Sequence, residues 1–176
     1  MNLKKLLDFL NPFKSTVTMK GWVVAELRGP DGELKQRQET HNLVTEQGDF
    51  FTAAGIFTAA YGTWGMKLGT ATTAASKTGA GSFVAAADYV SGSAQALDDS
   101  TPKAGLTADI VQFRRLWAAG EGTSNTINRV GITDNTTNAG EADATHTFAT
   151  AVFAAQIAKA AGDTLTVTWN VTMLGA

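Results

Sequence analysis

From residue 164 to residue 173 apolar and polar side chains alternate without a break. Leu165, Val167, Trp169, Val171 and Met173 fall on one side, with Thr164, Thr166, Thr168, Asn170 and Thr172 on the other. A period of two puts successive side chains on opposite faces of a strand, so this segment predicts one buried face and one face covered with hydroxyls. Its β-branched and aromatic content suits a pleated, half-buried surface. Shorter apolar runs bounded by turn residues predict further strands at 17–27, 33–41, 64–69, 108–118, 126–133 and 145–155. In 108–118, Ile110, Gln112 and Arg114 oppose Val111, Phe113, Arg115 and Trp117, a mixed alternation.

Between the first two strands stands Pro30-Asp31-Gly32. Proline presets φ and glycine accepts positive φ, so the pair should form a hairpin. The second strand, 33–41, is unusually polar and should lie exposed or at an edge. A charged edge discourages sheet-to-sheet aggregation and can equally form a salt-bridged seam between subunits. One internal helix follows. Asn42 or Thr45 can cap it, Glu46 lies in its first turn, and Phe50, Phe51, Ala54 and Phe57 supply an apolar face. Gly48 and Gly55 argue against a long one. The stretch 70–87, rich in Ala, Thr, Ser and Gly, has no period and predicts a long surface loop, a candidate contact element. Turn clusters stand at 134–140 and 160–163. About eight strands at this spacing make an all-β domain, an antiparallel β-sandwich or jelly roll with one short internal helix.

Residues 1–14 follow a different period. Leu3, Leu6, Leu7 and Leu10 recur at helical spacing opposite Lys4, Lys5 and Asp8, and Pro12 should end the segment. The chain therefore divides into an N-terminal amphipathic arm, 1–16, and a β domain, 17–176. A helix of ten residues is marginal in water, so the arm needs a surface to lie against. Its own domain or a neighbouring subunit can supply one. A membrane surface is disfavoured, because only two cations flank a short apolar stripe. Leu3, Leu6, Leu7, Phe9 and Leu10 are the candidate partner-binding residues. The segment has the outline of a signal peptide, but Asp8 breaks its apolar run and no small-residue cleavage site follows promptly, so it is read as part of the mature protein.

Composition narrows the function. The 176 residues suffice for one domain with an appendage, and 29 are Ala and 25 Thr. Small and hydroxyl residues in that proportion suit the short strands and close surfaces of secreted or viral structural proteins. A net charge of −2 leaves no electrostatic footprint for nucleic acid. With no cysteine, disulfides and thiolate chemistry are excluded. No apolar run approaches the length that spans a bilayer.

Catalytic chemistry is thinly provided. His41 and His146 stand in no metal-ligand spacing, and neither a nucleophile elbow nor a phosphate-cradling loop is present. Asp98-Asp99 reads as a solvated turn. Asp134, Asn135, Thr136, Thr137, Asn138, Glu141 and Asp143 offer oxygen ligands of the kind calcium uses, but they miss the EF-hand spacing and are ordinary turn formers. Neither a metal nor a cofactor is expected, and no enzyme activity. Trp22, Trp64, Trp117 and Trp169 read as core or seam residues. Arg114 and Arg115, beside Phe113 and Trp117, read as an intersubunit salt bridge or stack rather than a nucleic-acid stripe.

Three segments carry a resemblance. Leu27-Arg-Gly-Pro-Asp-Gly-Glu-Leu-Lys35 runs into Thr40-His-Asn-Leu-Val-Thr-Glu-Gln-Gly48. Met66-Lys-Leu-Gly-Thr-Ala-Thr-Thr-Ala-Ala75 is the second, and the strands at 146–156 and 162–169 are the third. Together they resemble a class of small tailed-bacteriophage virion proteins, over about residues 20–174. The chain departs from that class in its Ala/Gly-rich stretch at 76–96 and in its arm. The resemblance implies a non-enzymatic virion component. Its leading form is a capsid decoration or cement protein on the head exterior, bound to the major capsid protein and self-associating, most simply as a trimer. A tail, collar or fibre-attachment protein is the alternative. A carbohydrate-binding β-sandwich module is the alternative from another class, and it would expose aromatic side chains on one sheet face.

Overall fold

The computed structural model describes residues 17–57, 64–98, 103–104, 110–134 and 145–175. Ten strands form two antiparallel five-stranded sheets that pack face to face. Sheet A runs β2 (Leu34–His41), β1 (Val17–Arg28), β10 (Thr164–Gly175), β7 (Ile110–Trp117), β6 (Lys103–Ala104). Sheet B runs β3 (Leu43–Val44), β9 (Thr147–Lys159), β8 (Ser124–Thr133), β4 (Gly65–Gly69), β5 (Gln95–Ala96). The expected all-β sandwich is what the chain forms. The two-residue strands β5 and β6 carry no periodic signal, and β9 runs four residues beyond its predicted end.

The core is the alternation made solid. Val23, Ala25 and Leu27 of β1 and Leu165, Val167, Trp169 and Val171 of β10 point inward from sheet A. Met66, Leu68, Val130, Ile132, Ala149 and Ala151 meet them from sheet B. In β7 the register places Val111, Phe113, Arg115 and Trp117 on the inner face, opposite the apolar row of β10. That settles the mixed alternation: Arg115 lies inward at the rim, where it pairs with Glu121 at 2.8 Å.

Among the described residues one α-helix, α1 (Glu46–Phe57), packs on β9. Thr45 is its cap, accepting from the Gly48 N–H at 2.9 Å while its own hydroxyl donates to the carbonyls of Thr147 and Phe148. Gly48 weakens the helix in isolation, but a side chain there would run into the Phe148 carbonyl. The expected apolar face is half right: Phe51 is buried in edge contact with Trp64, whereas Phe50 is 62% exposed. Ala54 and Phe57 have side chains outside the described residues, as do Leu3, Leu6, Leu7, Phe9 and Leu10 of the arm. Phe51, Trp64 and Phe148 stack edge to face and, with Phe113, close one end of the sandwich.

The loop expected at 70–87 lies on the surface and contains two short 3-10 turns, Gly79–Gly81 and Ala86–Asp88, and it also forms a cover on sheet B. Val84 packs over Gly69 and Gly131 on the outer side of sheet B. Arg129 of β8, 1% exposed, sends its guanidinium to the carbonyls of Thr73, Ala80 (3.1 Å) and Phe83 (3.0 Å). Burial pushes the Arg129 pKa down and Asp88 pulls it back up. With both faces covered, all five residues of β4 are buried.

Candidate functional site

Among the described residues the outer face of sheet A carries no covering segment. The β1–β10 register sets Trp22, Val24 and Glu26 beside Asn170, Thr168 and Thr166, and β7 adds Gln112, Arg114 and Leu116 to the same rows. The hydroxyl row of β10 lies on this face, half-buried, flanked by taller neighbours. On the β2 side the face is ionic. Glu26 pairs with Arg28 at 3.2 Å and with Arg37 at 3.4 Å, and Arg37 also pairs with Glu39. Such exposed pairs add little stability, and their effect here is to keep this part of the face wet.

Near the start of β1 the face changes character. β2 pairs with β1 only from Trp22 onward, and Asn42 turns across the uncovered edge, donating its N–H to the Gly21 carbonyl at 3.2 Å. Here lies a cavity of about 550 Å³ whose walls include Met19, Lys20, Trp22, His41, Gln112 and Asn170. Trp22 is 53% exposed in it. His41, Trp22, Asn170 and Gln112 form one row across four strands, from the registers β2–β1, β1–β10 and β10–β7. Gln112 Nε2 donates to Asn170 Oδ1 at 2.9 Å. Both polar atoms of the Asn42 amide are buried without a hydrogen-bond partner. Glycine at 21 is what lets that amide sit where it does, since a Cβ there would overlap it.

The tryptophans therefore divide. Trp117 and Trp169 are core, Trp64 closes the aromatic end, and Trp22 is none of these. His41 belongs to the cavity wall. His146 lies apart, its Nδ1 2.6 Å from Asp134 Oδ1. Asp134 thus has a partner, and the other members of the calcium-like loop lie outside the described residues. Asp98 is no simple solvated turn. It accepts from the Leu116 N–H at 2.9 Å and pairs with Arg114 at 2.7 Å. Arg114 and Arg115, expected to bridge subunits, find their acids within the chain, at Asp98 and Glu121. Among the described residues no three His, Asp or Glu side chains come together in a way that could hold a metal ion.

Sequence reasoning missed the polar fastening of the two sheets. The inward-facing polar residues of β2 hydrogen-bond the backbone of β9: Gln36 to Gln156 O at 3.1 Å, Gln38 to Ala155, and Thr40 to Val152 O at 2.9 Å. It also missed two ionic anchors at the far end. Buried Lys159 donates to Ala118 O at 3.0 Å, its pKa lowered by burial against the pull of Asp163 and Glu121. Asp163 receives Lys35 at 2.7 Å and the Ala160 N–H at 3.0 Å. The alternation of 33–41 was the available signal, because Gln36, Gln38 and Thr40 occupy the core-facing positions of their strand.

No family model, curated protein or solved structure matches this chain.

Proposed function

We propose that this protein is a capsid decoration protein of a tailed bacteriophage, a preformed block that binds the assembled head shell through its N-terminal arm. The observation that carries the reading is how unevenly the domain is finished. Sheet B is covered over β4 and β8 by the chain's own segment 70–90, held by Arg129, while among the described residues sheet A has no such cover. A block of that kind is rigid before it meets a partner and has one sheet surface to offer. The segments that carry the resemblance supply its framework: the hairpin β1–β2, the Thr45 cap on β9, strand β4, and the successive strands β9 and β10, one in each sheet.

The arm enters through β1 of the open sheet. Sixteen residues reach at most about 55 Å when extended, enough to contact a neighbouring shell subunit well away from the domain. Leu3, Leu6, Leu7, Phe9 and Leu10 are its anchors, and the major capsid protein is the surface they grip. Self-association, most simply as a trimer, would multiply the arms and raise avidity without new contacts. A protein that binds the lattice and not its free subunits stabilises the lattice by mass action.

Full-length protein carrying Leu6→Asp and Leu7→Asp, added to particles lacking this chain, is the test. Loss of co-sedimentation with the heads, at unchanged melting temperature, is expected. Full retention would overturn the arm mechanism. Particle imaging gives the location: hundreds of copies on the shell support decoration, whereas a dozen at the tail or collar would replace it with the attachment reading.

A further inference from the structure

We propose that the Trp22 cavity is a saccharide site, in which the indole stacks on one sugar ring while the Asn170–Gln112 amide pair reads two adjacent hydroxyls. A pyranose has an apolar face of C–H groups and a rim of hydroxyls that both donate and accept. A site for it needs a flat apolar surface with donors and acceptors set at its side. Trp22 is the most exposed tryptophan of the four and stands directly across from Asn170, so indole and amide are cross-strand neighbours on one face.

The hydrogen bond between the amides fixes what they present. Because Gln112 Nε2 donates to Asn170 Oδ1, the Gln112 carbonyl and the Asn170 NH₂ remain available, one acceptor beside one donor. Two neighbouring hydroxyls complement that pair. A volume of about 550 Å³ lies within the range of small-ligand sites, lined by apolar surface with a few placed polar groups. One indole, rather than a row of them, sets the ligand to a single stacked ring or chain end.

Other occupants fit less well. A purely apolar segment would bury the Gln112 carbonyl and the Asn170 NH₂ without giving them partners. A nucleotide strand would find one cation, Lys20, in the cavity wall, and the arginines beyond it, Arg28 and Arg37, are already paired with Glu26 and Glu39. The site is independent of the decoration reading, which is tested on arm variants.

The test uses full-length protein and soluble oligosaccharides of glucose, galactose, mannose, N-acetylglucosamine and rhamnose at millimolar concentration. Saturation-transfer NMR and tryptophan emission provide the readouts. At least one sugar should transfer saturation and shift emission. Trp22→Ala should abolish the emission change, and Trp22→Ala and Gln112→Ala should each weaken binding about tenfold or more, with melting temperature unchanged. Silence across the panel would overturn the proposal, as would binding that survives Trp22→Ala. So would a rise in acrylamide quenching of Trp22 in the Leu6→Asp, Leu7→Asp protein, which would identify the arm as the occupant.

Discussion

Gln38 holds both backbone groups of Ala155: its Nε2 donates to the Ala155 carbonyl, and its Oε1 accepts the Ala155 N–H at 2.9 Å. An amide side chain thus imitates the pairing that a neighbouring strand would give. The position matters because β3 pairs with β9 only at Ala149 and Thr150, and among the described residues no strand pairs the edge beyond it on that side. Gln36 and Thr40 continue the same seam. Replacement of Gln38 by Ala should lower stability by about 1–2 kcal/mol, two neutral hydrogen bonds at a partly exposed site. Gln38→Glu should cost more near neutral pH, because a carboxylate faces the Ala155 carbonyl, and should recover in acid. Denaturant melts of the three proteins at neutral and acidic pH check this.

Arg129 is the pin of the 70–90 cover. Arg129→Lys keeps a charge but cannot reach three carbonyls with one ammonium, and Arg129→Met removes the donors altogether. Hydrogen bonds from a charged donor contribute about 1.5–3 kcal/mol each, so the Met variant should lose several kcal/mol and the Lys variant somewhat less. Limited proteolysis should then cut first within 73–83. A variant that resists cleavage there as the parent does would show that Val84 packing alone holds the cover.

Acid should weaken the far end of the sandwich. The hydrogen bond from Lys35 lowers the Asp163 pKa, with the Ala160 N–H and the nearby Lys35 and Lys159 charges acting the same way and burial opposing them. A carboxylate whose folded pKa lies below its unfolded value near 3.9 contributes stability above that value. The contribution fades as pH falls through the folded pKa. Stability of the parent should therefore decline below about pH 4, and Asp163→Asn should start lower and show a flatter acid limb. Parallel acid limbs in thermal melts from pH 2 to 6 would remove Asp163 from the account.

The helix start can be tested at two residues. Thr45→Val removes a cap hydroxyl that serves the Gly48 N–H and two β9 carbonyls, and should cost about 1–2 kcal/mol. Gly48→Ala, which would stabilise a free helix, should here destabilise, because the added methyl meets the Phe148 carbonyl. A more stable Gly48→Ala protein would mean that α1 sits farther from β9 than the structure has it.

Strand content and core were legible because alternation survives in the chain wherever one sheet face is buried and the other is not. β10 shows this fully: every apolar member among its described side chains is core, and the hydroxyl row is on the open face. β4 and β8, expected at 64–69 and 126–133 and found at Gly65–Gly69 and Ser124–Thr133, were legible from their bounds rather than from alternation, since the cover on sheet B buries both faces and erases the polar half of the pattern. Arg129 and Lys159 contradict the rule that charge means surface, and only the carbonyls they reach explain them. The cavity could not be read at all. Its four-strand row joins residues 22, 41, 112 and 170, which become neighbours only through strand register. Trp22 was visible as an aromatic on a strand, but its exposure depends on where β2 stops.

The pairing of β1 with β10 runs over all twelve residues of each strand. Its consequence is temporal. As the chain leaves the ribosome, β1 and β2 can form their hairpin early, but the other edge of β1 waits until every other described strand has been made. Sheet A then closes in one late step that joins distant parts of the sequence, the kind of step that sets slow folding rates in β proteins. The nascent chain therefore carries an open, half-apolar edge until β10 emerges, and β10 is the strand that closes that edge to unrelated chains.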